Sequence, residues 1–176
     1  MNAKKKARKA NLIGLRNLII RIVILAVFAY LILTFGFLIT QCRGQGMFPA
    51  IKDGDLCIVF RKEAQTLVGE HFVQDDVIVY QMDGQRRFGR VVAVAGDIVM
   101  IDGNGNLTVN GVSQTQDVPY PTYAREGTEY PLRVPDGCVY VLGDYRTNAK
   151  DSRDWGSIPL ENVEGKVITI LRRREI

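Results

Sequence analysis

The chain carries two hydrophobic patterns that meet near residue 41. From Ile22 to Thr40 it is uncharged and almost wholly apolar, with no polar face recurring at helical spacing. At ~1.5 Å per residue such a run nearly crosses a hydrocarbon core of ~30 Å, and Leu18 to Ile20 extend it past Arg21, whose stem can snorkel to the headgroups. This predicts one transmembrane helix over residues 18–41. Beyond it the apolar residues come in short β-branched and aromatic runs: Leu56 to Phe60, Val77 to Tyr80, Arg90 to Val94, Ile98 to Ile101, Leu107 to Val109, Val139 to Leu142 and Lys166 to Leu171. Gly, Asp, Asn and Pro separate them, which predicts strands joined by tight turns and a mostly β domain over 42–176. Asp102-Gly103-Asn104-Gly105 and Asn110-Gly111 tolerate positive φ, so residues 98–112 are expected to form a hairpin. Ser113 to Asp136 holds four prolines and three tyrosines. It is expected to form a long surface excursion of the kind that carries binding function, with disorder as the plain alternative.

Charge adds an orientation to this picture. Lys4, Lys5, Lys6, Arg8, Lys9, Arg16 and Arg21 put +7 into the first 21 residues of a chain whose net charge is +4, leaving about −3 for the rest. A basic tail ahead of an apolar run is the signature of membrane topology rather than of nucleic-acid binding. By the positive-inside rule residues 1–17 are a cytoplasmic tail and residues 42–176 lie outside the cell membrane. No small-x-small cleavage site follows the span, so it reads as an uncleaved signal anchor. Arg172-Arg173-Arg174 reads as a solvated strand end or as a contact with anionic lipid. At 176 residues there is room for one ordinary domain plus the anchor.

Cys42, Cys57 and Cys138 form no Cys-x-x-Cys pair, and their odd number leaves pairing open. Cys57 lies in an apolar run and is expected to be a buried, inert thiol. His71, the single histidine, sits in a polar stretch and reads as a solvated group. No metal, nucleotide or flavin signature is present, so no cofactor is expected.

Three stretches stand out after the span: Gln45-Gly46-Met47-Phe48-Pro49-Ala50, Gly89-Arg90-Val91-Val92-Ala93-Val94-Ala95-Gly96-Asp97, and Gly143-Asp144-Tyr145-Arg146-Thr147-Asn148-Ala149-Lys150-Asp151-Ser152-Arg153. In this order, behind one membrane span, they resemble the motifs of type I signal peptidases. The resemblance implies a signal-peptidase-like β ectodomain and a serine endopeptidase mechanism, in which serine is the nucleophile, lysine the general base, and a second serine orients the lysine. A serine hydroxyl is a weak nucleophile without a base in reach, and lysine serves only when desolvation lowers its pKa. Here the nucleophile position is Gly46, the base position Gly89 and the orienting position Ala149, and Tyr145 replaces the motif's usual asparagine. Met47, Pro49, Arg90, Asp144, Asp151, Ser152 and Arg153 match the pattern and are expected to support a peptide-binding cleft. No shift of register restores the pair, because the first serine is Ser113 and no lysine lies between Lys62 and Lys150.

Either glycine also has a structural reading, since glycine suits a turn into a strand and permits a bulky neighbour to approach. The resemblance extends to the catalytically incomplete homologues encoded with Gram-positive pili, which implies a membrane-bound peptide-binding or assembly factor working with sortase. Pilin subunits, sortase or signal-peptide-bearing precursors are the implied partners, beside the lipid bilayer. The alternative is an active signal peptidase that uses an unrecognised nucleophile, and a purely structural anchor is a third reading.

Overall fold

A computed structural model describes residues 2–114 and 118–172, with side chains from residue 14 onward. Of the tail motifs, Arg173 and Arg174 and the side chains of the basic residues before Gly14 lie outside the described residues. The first unit is a helix, α1 (Asn2–Gly36), and every side chain from residue 14 to 35 is exposed. Its segment Gly14–Gly36 is long and apolar enough to cross a membrane. The expected span ran to residue 41, but the helix stops at Gly36 and Phe37–Gln41 is a strand. Glycine is a poor helix former, and Phe37, Ile39 and Thr40 are residues that favour strands.

The second unit, from Leu38 onward, is mostly β. Its strands in chain order are β1 (Phe37–Gln41), β2 (Leu56–Arg61), β3 (Val77–Met82), β4 (Gln85–Val94), β5 (Ile98–Ile101), β6 (Leu107–Val109), β7 (Val112–Ser113), β8 (Leu132–Arg133), β9 (Cys138–Leu142), β10 (Ile158–Pro159) and β11 (Val163–Leu171). Seven form one sheet in the order β1-β2-β11-β3-β4-β9-β10, and four form a second in the order β7-β6-β5-β8. Two short helices, α2 (Lys62–Leu67) and α3 (Ser152–Trp155), sit in the connections. Every strand expected from the sequence is present, and the 98–112 hairpin forms with Val99 opposite Val109. Asn110 and Gly111, the two-residue turn that joins β6 to β7, have φ of 51° and 79°, the positive values that such a turn requires.

Alternation along the strands builds a layered core. In β3, Ile78 and Tyr80 face one cluster while Val79 faces another with Met47, Ile51, Cys57 and Phe88. In β9, Val139 and Val141 join the first cluster, whereas Tyr140 and Leu142 turn to the side where the second sheet packs. The register of β4 against β9 shifts between Val91 and Ala93, so Val92 and Ala93 both reach that second layer. Burying each such aliphatic side chain contributes about 1.5–3 kcal/mol.

Of the excursion expected over Ser113–Asp136, residues 118–131 have no regular structure, Leu132–Arg133 is instead strand β8 of the second sheet, and residues 115–117 lie outside the described residues; the irregular part is nevertheless tied to the domain. Thr122 is 3% exposed and its N–H donates to Gly105 O at 2.9 Å. Tyr130 meets the Tyr140 hydroxyl at 2.6 Å.

Cys57 is fully buried as expected, and Cys42 is buried beside it in the same cluster, while Cys138 is half-buried. Burial, together with nearby carboxylates, pushes the thiols of Cys42 and Cys57 up from 9.0 to about 12 and about 11. Folding therefore favours their protonated forms, and that stabilisation is complete below pH 9 and lost as pH rises through 11 to 12. N-ethylmaleimide at pH ~7.5 should label Cys138 in the folded protein and reach Cys42 and Cys57 only after denaturation. Peptide mass mapping reads the order of labelling, and early modification of Cys42 would contradict this packing.

Candidate functional site

The first and third motifs meet through a backbone contact. Tyr145 N donates to Gly46 O at 3.0 Å, which fixes the Gln45–Ala50 turn against the Gly143–Arg153 segment. Gly143 lies between them, and a Cβ there would come 2.2 Å from Ala149 Cβ and 2.6 Å from Gly46 O, so no side chain fits. A Cβ on Gly46 would meet Ala149 Cβ at 3.6 Å, an ordinary contact. The structure thus brings Gly46 and Ala149 together in a space that accepts a small side chain. Met47 is fully buried beneath this turn, and Pro49 is exposed.

Gly89 has different surroundings. It lies in β4 opposite Ile78, and a Cβ would fall 2.3 Å from Val141 Cγ1 and 3.3 Å from Tyr80 Cε1. Its nearest neighbours are therefore core residues of β3 and β9, not Gly46 or Ala149. Tyr80 and Val141 fill the space that a longer residue at 89 would need.

A polar lattice supports this arrangement from behind. Arg153 is 2% exposed, and it donates from Nε and Nη2 to the two carboxylate oxygens of Asp151 at 2.9 and 2.8 Å and from Nη2 to Arg146 O at 2.6 Å. Asp151 also accepts from Gly143 N at 3.0 Å and caps α3, with Asp154 completing a capping box. The Ser152 hydroxyl accepts from Val141 N at 2.9 Å, so this serine is committed to the backbone of β9. Hydrogen bonding to Asp151 raises the Arg153 pKa against the opposing pull of burial. Arg90 makes a bidentate pair with Asp144, at 2.9 Å from Nε and 2.7 Å from Nη2. That pairing raises the arginine's pKa and anchors β4 to the third motif.

Residues that the sequence reading did not single out complete the lattice. Arg146 is buried, donates to Gly143 O at 2.9 Å and to Thr122 Oγ1 at 2.7 Å, and is lowered to about 10 by burial, so it stays charged at neutral pH. Arg125 donates to Ala149 O at 2.6 Å and pairs with Asp154. Thr128 donates its hydroxyl to Arg153 O at 2.8 Å. These contacts fold the excursion over the third motif. Tyr120 packs against Tyr145 with ring centroids 4.6 Å apart and planes tilted by 35°, and Phe48 approaches the same ring at 6.0 Å. The clustering of tyrosines and arginines in the two segments was the one sequence signal available.

A cleft of about 700 Å³ opens beside Gly46 and Ala149, bounded by the end of β1, residues 43–47, the start of β4 and Asn148 to Lys150. Cys42 borders it, but its raised pKa keeps the thiol protonated at neutral pH. Thr40 borders it too, and its hydroxyl accepts from Arg86 Nη1 at 3.0 Å. His71 is exposed and does not line this cleft.

The family described as "Signal peptidase, peptidase S26" matches residues 15–171. A signal peptidase I from Bacillus caldolyticus is 31% identical over 138 residues, covering 71% of this chain and 74% of that one. Thylakoidal processing peptidase 1 of Arabidopsis thaliana is 39% identical over 79 residues, or 45% of this chain, and the match spans 22% of the length of that relative. A crystal structure of a signal peptidase I from Enterococcus faecalis V583 aligns with a TM-score of 0.48 at 30% identity, covering 57% of this chain and 98% of that one.

Four substitutions separate these environments. Gly89→Ala should cost about 1–3 kcal/mol by overpacking, less than additively with Val141→Ala, whereas Gly46→Ser should change stability by no more than about 0.5 kcal/mol. Asp151→Ala strands a buried guanidinium and should cost about 3–5 kcal/mol. Thermal unfolding followed by near-UV circular dichroism ranks them, and equal costs at 46 and 89 would refute the packing argument.

Proposed function

The chain belongs to the signal peptidase, peptidase S26, family, and from that premise we propose that it binds an extended peptide in the family cleft without cutting it. The observation that carries this reading is the identity of three residues: Gly46, Gly89 and Ala149 stand where nucleophile, base and orienting group are expected. Neither a hydrogen nor a methyl group can attack a carbonyl or accept a proton. Polarising donors in the cleft would contribute little turnover without a nucleophile to trap. The protonated Cys42 and the committed Thr40 hydroxyl offer no replacement.

Binding needs less than catalysis, and the means for it are kept. Residues 85–88 of β4 line the cleft and pair with β3 on one side, while pairing with β9 on the other begins only at Arg90, which leaves a strand edge along the cleft. An extended segment adds to such an edge through its main chain, with adjacent pockets selecting side chains. Phe48, Tyr120 and Tyr145 supply aromatic contacts at the end near Gly46.

The proposed setting is the outer face of a bacterial cell membrane, with the basic tail in the cytoplasm and the β domain outside. There the protein acts as an assembly factor for surface pili, presenting pilin or sortase segments rather than processing precursors. The motif resemblance to pilus-associated homologues supports this role, and the similarity to signal peptidases supports the peptide.

The detergent-solubilised protein should leave an exported precursor intact over hours of incubation, as read by mass spectrometry. Gly46→Ser should leave it intact as well, because the base position remains a glycine packed under Val141. Cleavage after a small-x-small site by the unaltered chain would overturn the non-cutting reading. In the host, disrupting the gene should remove high-mass pilin polymers and spare signal-peptide removal; intact polymers would refute the pilus role.

A further inference from the structure

The cleft that supports peptide binding has a charge pattern that the domain as a whole does not share. Residues 38–176 hold 16 Lys and Arg against 19 Asp and Glu, a net charge of −3. The cleft is nevertheless lined by Arg43, Arg86, Arg87 and Lys150, and by no carboxylate. These four come from three separate segments, so the concentration is a product of the fold and not of a basic run in the chain.

Their partners show how much of that charge is already neutralised. Arg86 Nε pairs with Glu164 at 2.8 Å from just outside the cleft. Arg87 lies over the Trp155 ring at 4.7 Å and donates to Gln85 at 3.1 Å, while its buried Nε has no hydrogen-bond partner among the described residues. Arg43 and Lys150 are exposed and have no ion-pair partner among the described residues. The nearest acid to Arg43 along its own loop, Asp53, is engaged in capping Gly44 N at 2.7 Å. Three cations therefore face the cleft without a carboxylate. Low-dielectric walls sharpen this effect, and Met47 and Phe88 supply an apolar floor.

The unpaired strand edge argues that the anion arrives on a polypeptide. A lipid headgroup would use the charge and leave the strand edge of residues 85–88 unpaired, whereas an extended peptide uses both. We infer that the cleft takes an extended peptide carrying acidic side chains, whose carboxylates lie against Arg43 and Lys150 while its backbone adds to β4. The inference rests on the peptide-binding reading above and narrows it to one class of ligand. Side chains of alternate residues along an extended strand point the same way, ~6.8 Å apart, so two acids spaced i and i+2 present together to one wall.

The probes are fluorescein-labelled ten-residue peptides of alternating Ala, Thr and Val, with Glu, Gln or Lys at two positions spaced i and i+2. They are titrated by fluorescence anisotropy against the full chain in a zwitterionic detergent, which supplies no anionic lipid. The Glu peptide should bind about tenfold tighter than the Gln peptide at low salt, with the Lys peptide weakest. The gap should narrow at ~0.5 M salt, where screening shortens the reach of exposed charges. In the Arg43→Gln/Lys150→Gln double variant the Glu and Gln peptides should bind alike, whereas Arg133→Gln, on exposed β8, should keep the preference. Equal binding of Glu and Gln peptides to the unaltered chain, or a preference that survives the double variant, overturns the inference and leaves peptide binding standing. Binding of no peptide overturns both together. Capture of phosphatidylglycerol vesicles that depends on Arg43 and Lys150, without any peptide preference, overturns it in favour of a headgroup site.

Discussion

The bidentate pair between Arg153 and Asp151 is the contact on which the site depends. Both residues are almost completely buried, and a buried charge is tolerated only where paired and hydrogen-bonded on its remaining sides. Meeting that requirement fixes much else. Asp151 has to receive Gly143 N, which sets the turn after β9, and Arg153 has to reach Arg146 O, which closes the loop between them. Once that loop is closed, Tyr145 N faces Gly46 O and the first motif is held against the third. Asp144 is presented to Arg90 by the same turn, so β4 is tied in through a second ion pair. None of these interactions uses the side chain of residue 46, 89 or 149, so the motifs keep their form with glycine or alanine at those positions.

The two glycines are unlike each other in what they permit. At 46 the space beside Ala149 accepts a small residue, so glycine there is compatible with a serine-sized neighbourhood. At 89 the space has been taken. Tyr80, nearly diagonal across the β3–β4 ladder, lays its ring beside the bare backbone, and Val141 closes in from β9. An aromatic ring covering a cross-strand glycine restores contacts that the missing side chain would have made. The hydroxyl of Tyr80 is left buried without a partner among the described residues, a cost of about 1–3 kcal/mol that the packing of its ring offsets.

Much of the fold was legible because it follows from local chemistry. Runs such as Val77–Tyr80 and Val139–Leu142 are β-branched and bounded by turn residues, and they form strands where pattern alone places them. The end of the helix was less legible, since Phe37 to Thr40 are apolar enough for a bilayer and equally suited to a strand. The two-residue strands β7, β8 and β10 have no periodicity to read. The roles of Met47, Arg90, Asp144 and Asp151 were accessible as motif positions. The roles of Arg125, Arg146 and Thr122 were not, because their partners lie 24 to 29 residues away and only the folded excursion brings them together. The same limit hid the cationic wall of the cleft, whose members Arg43, Arg86 and Lys150 are scattered across more than 100 positions of a net acidic domain.

The packing around Gly89 also sets which replacements the chain can absorb singly. At 46 room remains for a small side chain, so one change there stands on its own. Position 89 differs, because Val141 and Tyr80 occupy the space beside its backbone. Any longer residue there would meet Val141 first, so its effect depends on what stands at 141. The closed core of β3, β4 and β9 thus makes positions 89 and 141 epistatic, and redesign of the cleft at 89 has to begin in the core.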